Sequence, residues 1–305
     1  MFEKKTFYSN GKLLITAEYA VLDGAIALAL PTKLGQNLIV ETGSNQEIAW
    51  TSYDADGSVW FKEVILFSDI INKIQFENNA VKSTLIEILH EGYLLNPKFI
   101  QDSIGFKVTT KLSFPKFWGL GTSSTLINNI ASWLEIDAFI LLNNSFGGSG
   151  YDIACAQNNL PILYQLVNQK PIVKTINFNP TFKEHLYFVY LNKKQNSKTA
   201  IANYYKNKKA DTTIILKINQ LTQEIADTKT LQDFENGLQQ HEKIMSEVLD
   251  LKTVQSALFS DFKGTIKSLG AWGGDFVLVV SIINPTLYFK EKGYNTVIGF
   301  EEMIL

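Results

Sequence analysis

A glycine-rich turn between a strand-like and a helix-like segment constrains the fold of this chain most. Apolar and polar residues alternate from Phe106 to Leu112, which predicts a half-buried strand that ends before Pro115. The turn Gly119-Leu-Gly-Thr-Ser-Ser124 comes next. Apolar residues at helical spacing follow it, namely Leu126, Ile127, Ile130 and Leu134. The segment therefore predicts a strand, a glycine turn and a helix whose first turn is rich in hydroxyl groups.

The other elements mix strands and helices without a regular alternation. Residues 7–41 are expected to form strands, with breaks at Gly11, Gly24 and the Pro31/Gly35 pair. Residues 43–60 are expected to form a hairpin or loop. Apolar residues at helical spacing predict helices over 80–93, 211–227 and 231–249. Apolar runs predict strands over 185–191 and after the turn at Leu269. This mixture favours an α+β architecture.

Prolines divide the middle of the chain. Pro161, Pro171 and Pro180 are expected to punctuate a connector, with a domain boundary near residues 175–182. A chain of 305 residues is long enough for two ordinary domains. We therefore expect an N-terminal domain over residues 1–178 and a C-terminal domain over residues 179–305.

The charge balance excludes some classes of partner. The chain has 28 basic and 30 acidic residues, and a formal net charge of −2. Binders of nucleic acid or anionic membranes depend on a basic face, so neither partner is expected. Every basic residue is a lysine, and arginine is absent. An anion must therefore be held by lysines, hydroxyl groups and backbone N–H groups, because the planar two-pronged grip of arginine is missing.

Cysteine and histidine provide little for covalent or metal chemistry. Cys155 is the single cysteine, which excludes an internal disulfide and suits a reducing compartment, and it is expected to be a small buried residue. The three histidines lie far apart and form no local metal motif. The chain begins without an apolar signal core, and the apolar run Phe276–Ile283 is too short to span a bilayer. A cytoplasmic protein, monomeric or homodimeric, is expected.

Among the chemistry-bearing motifs, the turn Gly119–Ser124 is the strongest. Glycines let a backbone approach a phosphate, and the start of the following helix offers N–H groups with partial positive charge. An ordinary capped turn is an equally good interpretation of these residues alone. The patterns of P-loop enzymes and of dinucleotide-binding folds are both absent.

Other polar residues have a plain and a functional interpretation. Asp152 follows the turn Gly147-Gly-Ser-Gly150, where an aspartate is usually a helix cap or a solvated charge. It becomes a catalytic base only if a cation and a substrate hydroxyl converge on it. Lys12 is expected to open a strand, Gly270–Asp275 to form a tight hairpin, and Lys193 and Lys194 to be solvated or to bind an anion.

Three of these turns, in this order, resemble the signature motifs of the GHMP kinases. Gly11 to Leu22 resembles the first motif, which contains a lysine and a Gly-Glu-[His/Tyr] step. Pro115-Lys-Phe-Trp-Gly-Leu-Gly-Thr-Ser-Ser124 resembles the second, which is the phosphate-binding loop, and Leu269 to Leu278 resembles the third. The sequence around Glu18-Tyr19 and Gly150-Tyr-Asp152 is most similar to the mevalonate kinase and phosphomevalonate kinase branch, in a bacterial form that contains Gly-Tyr-Asp-Ile-Ala.

The resemblance implies a fold and a set of residue roles. The fold would be α+β and two-domain, with an N-terminal domain like domain 2 of ribosomal protein S5 and a ferredoxin-like C-terminal domain. Asp152 would be the catalytic carboxylate and Lys12 its partner, which stabilises charge on the acceptor hydroxyl. ATP phosphates would contact Pro115, Gly119, Leu120, Gly121, Thr122, Ser123 and Ser124. Ser123 would also bind Mg2+. Substrate contacts would come from Glu18, Tyr19, Gly150, Tyr151, Ser197, Gly273 and Gly274.

Four departures from the motifs bear on the activity. Ala17 stands where the first motif has glycine, and Trp272 and Asp275 replace small residues of the third. Leu141 occupies the position where mevalonate kinases carry a Mg2+-binding glutamate, and Glu135 is about 20 Å along the helix from Thr122 at ~1.5 Å per residue. The chain also lacks the arginine that diphosphomevalonate decarboxylases use.

These observations give three hypotheses. The first is an ATP- and Mg2+-dependent kinase that phosphorylates a small substrate of the mevalonate type, mevalonate or phosphomevalonate, in isoprenoid biosynthesis. The second is an ATP-dependent diphosphomevalonate decarboxylase, which the missing arginine disfavours. The third is a non-catalytic relative that binds a metabolite, and Leu141 and the unusual third motif keep this alternative open.

Overall fold

The computed structural model describes residues 4–195, 197–207 and 210–305, apart from the side chains of Ser197, Lys198 and Asn207. The strands are, in chain order, β1 Lys5–Leu14, β2 Ala27–Thr42, β3 Glu47–Tyr53, β4 Val59–Leu66, β5 Phe106–Leu112, β6 Ile162–Val167, β7 Lys170–Thr175, β8 Leu186–Tyr190, β9 Thr265–Ser268, β10 Phe276–Val280 and β11 Val297–Gly299. The helices are α1 Phe67–Ile71, α2 Ala80–Leu95, α3 Lys98–Gln101, α4 Thr122–Leu134, α5 Ala138–Ser145, α6 Tyr151–Gln157, α7 Ser197–Asn207, α8 Thr212–Asp227, α9 Leu231–Leu249, α10 Val254–Leu258, α11 Thr286–Glu291 and α12 Phe300–Met303.

Local sequence patterns predicted the long elements well. The helices α2, α4, α8 and α9 and the strands β5, β8 and β10 lie where the apolar residues predicted them. The β3–β4 hairpin begins in the segment 43–60, which was expected to form a hairpin or loop, and continues beyond it to Leu66. The expected breaks at Gly11 and at Pro31/Gly35 are wrong, because β1 and β2 run through them. Lys12 therefore lies near the C-terminal end of β1 and does not open the strand.

The connector expected around Pro161 and Pro171 is also wrong. Residues 162–175 form the antiparallel hairpin of β6 and β7, in which Leu166 pairs with Pro171. Strand β7 lies at the edge of its sheet, with β6 as its neighbour. Proline is tolerated on such a strand because a backbone N–H on the outer side has no ladder partner to lose.

The chain divides into two compact units, and neither is a continuous stretch of sequence. Unit 1 contains Met1–Gly11, Leu34–Lys116 and Leu120–Gln157, and unit 2 contains Lys12–Lys33, Phe117–Gly119 and Asn158–Leu305. Strands β1 and β2 each contribute residues to both units. The predicted boundary between residues 178 and 179 stays a prediction.

Unit 1 is a sheet covered by helices. Its strand order is β4-β3-β5-β2, with β3 parallel to β5 and the other pairs antiparallel. The core combines sheet residues such as Trp50 and Val108 with residues from α2, α4 and α5, among them Leu89, Ile130 and Leu141. Burial of this apolar surface, rather than helix propensity alone, stabilises the helices against the sheet.

A buried polar network fixes α4 and α6 of unit 1. Ser9 Oγ donates to Asn129 Oδ1, at 2.8 Å, and accepts from Asn128 Nδ2, at 2.8 Å. Gln157 Nε2, at the end of α6, donates to Asn128 Oδ1 at 3.0 Å, and Asn129 Nδ2 donates to Gln36 O at 2.9 Å. Because buried polar groups are costly when unpaired, this network allows few other arrangements of the two helices.

Unit 2 has two groups of strands. Residues 27–29 of β2 pair antiparallel with β6, and β6 pairs with β7. The second group is an antiparallel sheet in the order β11-β8-β10-β9. Helix α8 packs on α9, and both α9 and α10 pack on β9. Among the residues that the structure describes, no helix combines the length and the apolar character needed to cross a membrane.

Candidate functional site

The glycine turn leads directly into the N-terminus of α4, as predicted. Gly121 precedes the helix with a φ of +98°, and no side chain caps this N-terminus. The hydroxyl groups of Ser124 and Thr125 donate to Gly121 O, each at 2.9 Å, while Ser123 is exposed. An uncapped helix start carries N–H groups that lack partners within the helix. This turn therefore fits an anion such as a phosphate.

Asp152 lies in the first turn of α6, the helix that packs on α4 in unit 1. Its side chain is half-buried, and Oδ1 accepts a hydrogen bond from Ile153 N–H at 3.1 Å. The next residue, Ile153, is fully buried in the core of unit 1, which anchors the backbone of Asp152. Gly150 is buried with a φ of +85°, and Tyr151 begins the helix half-buried.

Three distant segments of unit 2 meet at Gly119. Lys12 Nζ donates to Gly119 O at 2.9 Å. A Cβ atom added to Gly119 would clash with Asp275 Cγ, so the carboxyl group packs directly on this glycine. Lys12 also interacts electrostatically with Asp275. The first and third motifs, together with the first glycine of the second, thus contribute residues to one cluster. The pairing of Lys12 with Asp152 stays a prediction.

Gly119→Ala is expected to destabilise the protein for two separate reasons. The φ of Gly119 is +71°, a left-handed conformation that costs an alanine about 1–2 kcal/mol. The methyl group would also displace the Asp275 carboxyl group, and overpacking of this kind costs about 1–3 kcal/mol more. Urea unfolding, followed by far-UV circular dichroism, measures the total loss.

Gly57→Ala is the matched control, because Gly57 has a φ of +83° and no atom within 4 Å of an added Cβ. It should show the conformational cost alone. Equal losses of unfolding free energy in the two variants would contradict the contact between Gly119 and Asp275.

The first-motif loop is held in an unusual backbone conformation. Ala17 has a φ of +63° and Tyr19 a φ of +60°, a region that favours glycine. The motif that this loop resembles has glycine at the position of Ala17, and glycine adopts such a φ without a steric cost. The N–H of Ala17 donates to His241 Nε2 at 2.8 Å. Because Nε2 accepts this bond, a neutral His241 carries its proton on Nδ1.

Glu18 belongs to a buried ionic cluster in unit 2. Its carboxylate is fully buried and pairs with the fully buried Lys267, whose ammonium group also lies 3.4 Å from Glu242 Oε2. Ser268 donates to Glu242 through its N–H and, at 2.8 Å, through Oγ. His241 Nδ1 lies 3.7 Å from Glu18 Oε2. A contact between Glu18 and substrate stays a prediction, whereas the described geometry gives this residue an internal partner.

Burial dominates the electrostatics of this cluster. Loss of solvation raises the pKa of Glu18 to about 7, although the charge of Lys267 acts in the opposite direction. Burial holds the pKa of His241 well below its usual range, and the charge of Lys267 lowers it further. His241 is therefore neutral at physiological pH. The pKa of Glu18 lies close to physiological pH, so this carboxyl group titrates there.

Tyr19 is supported by an aromatic partner. Its ring stacks on Tyr204, with 5.5 Å between ring centroids, and Tyr204 Oη donates to Asp23 Oδ2 at 2.5 Å. Burial raises the pKa of Tyr204 above its ordinary value, so this hydroxyl group remains a donor. The predicted role of Tyr19 in substrate binding stays a prediction.

The remaining predicted contacts lie in different places. Pro115 is half-buried, Leu120 is fully buried and Thr122 Oγ1 donates to Lys116 O at 3.4 Å. Gly273 is exposed and Gly274 is buried, with Lys193 O lying 2.6 Å from a Cβ added to Gly274. Ser197 begins α7, and its side chain lies outside the described residues. No signal in the sequence alone indicated His241 and Lys267, which contact the first-motif loop. The same is true of Gln195, whose N–H donates to Asp275 Oδ1 at 3.2 Å.

The described residues offer Mg2+ few ligands of their own. No group of three or more histidine, cysteine or acidic side chains that could hold a metal occurs among them. Leu141, at the position predicted from the resemblance to correspond to the Mg2+-binding glutamate, is fully buried in the core of unit 1. Its apolar side chain packs there and offers no metal ligand. Mg2+ usually binds through one or two protein oxygens together with substrate phosphates and water. The exposed hydroxyl of Ser123, at the start of α4, fits that limited role.

Comparison with known proteins gives the class of this fold. No family model and no curated protein sequence matches the chain. Solved structures do match, at low sequence identity. Methanococcus jannaschii mevalonate kinase superposes with a TM-score of 0.71 at 16% identity, covering 97% of this chain and 96% of that one.

Two further structures extend the comparison. Streptococcus pneumoniae phosphomevalonate kinase, in complex with phosphomevalonate and AMPPNP, gives a TM-score of 0.68 at 15% identity, with 94% and 95% covered. Lactococcus lactis galactokinase, complexed with galactose, gives 0.63 at 12%, with 97% and 94% covered. The chain therefore has the α+β fold of the GHMP kinases over nearly its whole length.

Proposed function

We propose that this protein is an ATP-dependent kinase that transfers the γ-phosphoryl group to a hydroxyl or phosphate oxygen of a small substrate of the mevalonate type. The observation that carries the proposal is the uncapped, hydroxyl-rich start of α4, which follows the turn Gly119–Gly121 in a chain with the GHMP kinase fold. This is the part of the chain that resembles the phosphate-binding motif. Fold alone does not imply function, and therefore the residues of the site carry the argument.

In this proposal, the α4 start binds the nucleotide phosphates. Backbone N–H groups of the first turn, those of Thr122 and Ser124 among them, and the exposed hydroxyl group of Ser123 donate to phosphate oxygens. Ser123 Oγ, together with the phosphates, would hold Mg2+, which would supply positive charge that offsets the charge of the transferred group. Lysine and hydroxyl groups replace arginine throughout, because the chain has none.

Asp152 and Lys12 act on the acceptor. Asp152 accepts the acceptor's hydroxyl proton as that oxygen forms its bond to the γ-phosphorus and the bond to ADP breaks. The ammonium group of Lys12 stabilises the negative charge on the acceptor oxygen. Both side chains are half-buried, which reduces competition from water. Glu18, Tyr19, Gly150, Tyr151, Ser197, Gly273 and Gly274 remain the proposed substrate contacts.

A panel of acceptors tests the proposal. ADP release is measured by a coupled assay with mevalonate, phosphomevalonate, galactose, a heptose phosphate and homoserine, each with ATP and Mg2+. We expect turnover with mevalonate or phosphomevalonate that clearly exceeds the no-substrate rate. Turnover with a sugar alone would retain the kinase and reject the substrate.

Two other results would reject the kinase itself. Carbon dioxide release from diphosphomevalonate with ATP would favour the decarboxylase. Tight binding of a mevalonate-type ligand by calorimetry, without ADP release for any acceptor, would favour the non-catalytic binder.

A further inference from the structure

Several hydrogen bonds constrain Asp275, whose carboxyl group packs against Gly119. Asp275 lies immediately before β10 with a φ of +52°. Its N–H donates to Lys193 O at 2.6 Å, and its own carbonyl oxygen accepts from Leu191 N–H at 2.8 Å. Gln195 N–H donates to Oδ1 at 3.2 Å. Backbone bonds on both sides and a side-chain bond therefore fix the carboxylate against the turn that contains residues 193–195.

Two lysines interact electrostatically with the Asp275 carboxylate. They are Lys12 and Lys194, and Lys12 also donates to Gly119 O at 2.9 Å. Burial, together with the charge of Asp275, raises the pKa of Tyr190 on β8. Burial raises the pKa of Asp275, and the two lysines act in the opposite direction.

An acidic side chain in contact with a phosphate-binding turn is electrostatically unfavourable for phosphate binding. The cost of placing the Asp275 carboxylate here would be offset if the carboxylate also held a catalytic group in place. Asp275 touches the first glycine of the turn, and the ammonium group of Lys12 lies against the same glycine. We propose that Asp275 is a positioning residue, which holds the Lys12 ammonium group beside Gly119 and balances it against Lys194.

The proposal rests on the kinase function for its catalytic consequence, but the position of Lys12 can be measured without it. Asp275→Asn keeps the size and the acceptor oxygen for Gln195 N–H while removing the charge. We expect kcat to fall about 10- to 100-fold, as misplacement of a catalytic group does. The KM for ATP should stay constant or fall, because a negative charge near the phosphates is removed. A merely structural defect would raise the KM and lower kcat together.

The second readout is the reactivity of Lys12 itself. Competitive labelling with acetic anhydride, with Lys12 located by mass spectrometry, gives the pH at which its amine becomes reactive. Loss of the neighbouring carboxylate in Asp275→Asn should move this midpoint to lower pH. Lys194→Met should move the midpoint to higher pH. The positive charge of Lys194 is then gone, and the Asp275 carboxylate stabilises the protonated form of Lys12 more strongly. The opposite directions separate an electrostatic role from a loss of folding.

Two controls complete the design. Gln195→Leu removes the bond from Gln195 Nε2 to Trp272 O, at 2.8 Å, which fixes the same turn without involving the carboxylate charge. It should leave the Lys12 midpoint unchanged. Asp261→Asn removes an exposed carboxylate of unit 2, paired with Lys292, and should leave both kcat and the midpoint unchanged.

The outcomes are distinguishable. An unchanged Lys12 midpoint in Asp275→Asn, or an equal shift in Gln195→Leu, would overturn the positioning role even in an active kinase. If Asp275→Asn does not fold, a Lys12 midpoint in Lys194→Met that stays at or below the wild-type value would overturn it. If no acceptor is turned over by the wild-type protein, the kinase function fails, and the labelling results still decide the role of Asp275.

Discussion

Asp152→Asn is expected to lower kcat by about 10²–10⁴-fold, the range typical of a lost general base. Asparagine keeps the Oδ1 atom that accepts from Ile153 N–H, so the start of α6 should remain intact. It has no basic oxygen to accept the acceptor's proton. The Kd for ATP and the unfolding midpoint should therefore change little, because the lost interaction belongs to the transition state. Steady-state kinetics measures kcat, titration calorimetry measures the Kd for ATP, and urea unfolding gives the unfolding midpoint.

Asp102→Asn is the control for a change of charge alone. Asp102 is an exposed aspartate of unit 1 at the C-terminal end of α3. The kcat of the Asp102→Asn variant should equal that of the wild type. Wild-type kcat in Asp152→Asn would remove Asp152 from the mechanism and with it the proposed proton transfer.

Lys267→Met is expected to produce the largest loss of stability. Lys267 is fully buried and is the cation paired with two carboxylates, Glu18 and Glu242, besides donating to Ser268 O at 2.9 Å. Methionine fills a similar volume but leaves both carboxylates without a cation. Breaking a buried ion pair from one side lowers the free energy of unfolding by about 3–5 kcal/mol. Urea unfolding at pH 8 measures this loss.

The loss should depend on pH in a defined direction. In the folded protein the pKa of Glu18 is about 7, above its unfolded value, and removal of Lys267 raises it further. Where Glu18 binds a proton in the folded state, one of the two uncompensated charges disappears. The deficit of Lys267→Met relative to the wild type should therefore shrink from pH 8 to pH 5.

Two variants make this prediction sharp. Lys292→Met removes an exposed lysine that pairs with Asp261 at 3.1 Å, and should lower the unfolding free energy by less than about 1 kcal/mol. The double variant Lys267→Met/Glu18→Gln should recover part of the loss, because one isolated charge is removed. A loss in Lys267→Met as small as that in Lys292→Met would contradict the buried cluster.

Local patterns were sufficient where a segment makes its own structure. Helices α8 and α9 and strand β5 followed from the spacing of apolar residues. The hairpin of β6 and β7 was missed because Pro171 indicates a break, and only its position at a sheet edge makes the proline tolerable. The turn before α4 was predicted in detail because its signals are local. Glycine allows the left-handed φ of the turn, and the hydroxyl groups bond to backbone groups three or four residues away.

The sequence by itself determined the α+β class, the glycine turn at residues 119–121 and the absence of arginine from any anion site. Tertiary structure alone decided that Asp275 lies against Gly119, and that Glu18 meets Lys267, which is 249 residues away along the chain. The physical reason is that side-chain periodicity records only which face of an element is apolar. Two charged residues can share one buried site without any local pattern that reveals it, because their interaction energy arises only when folding removes water from both.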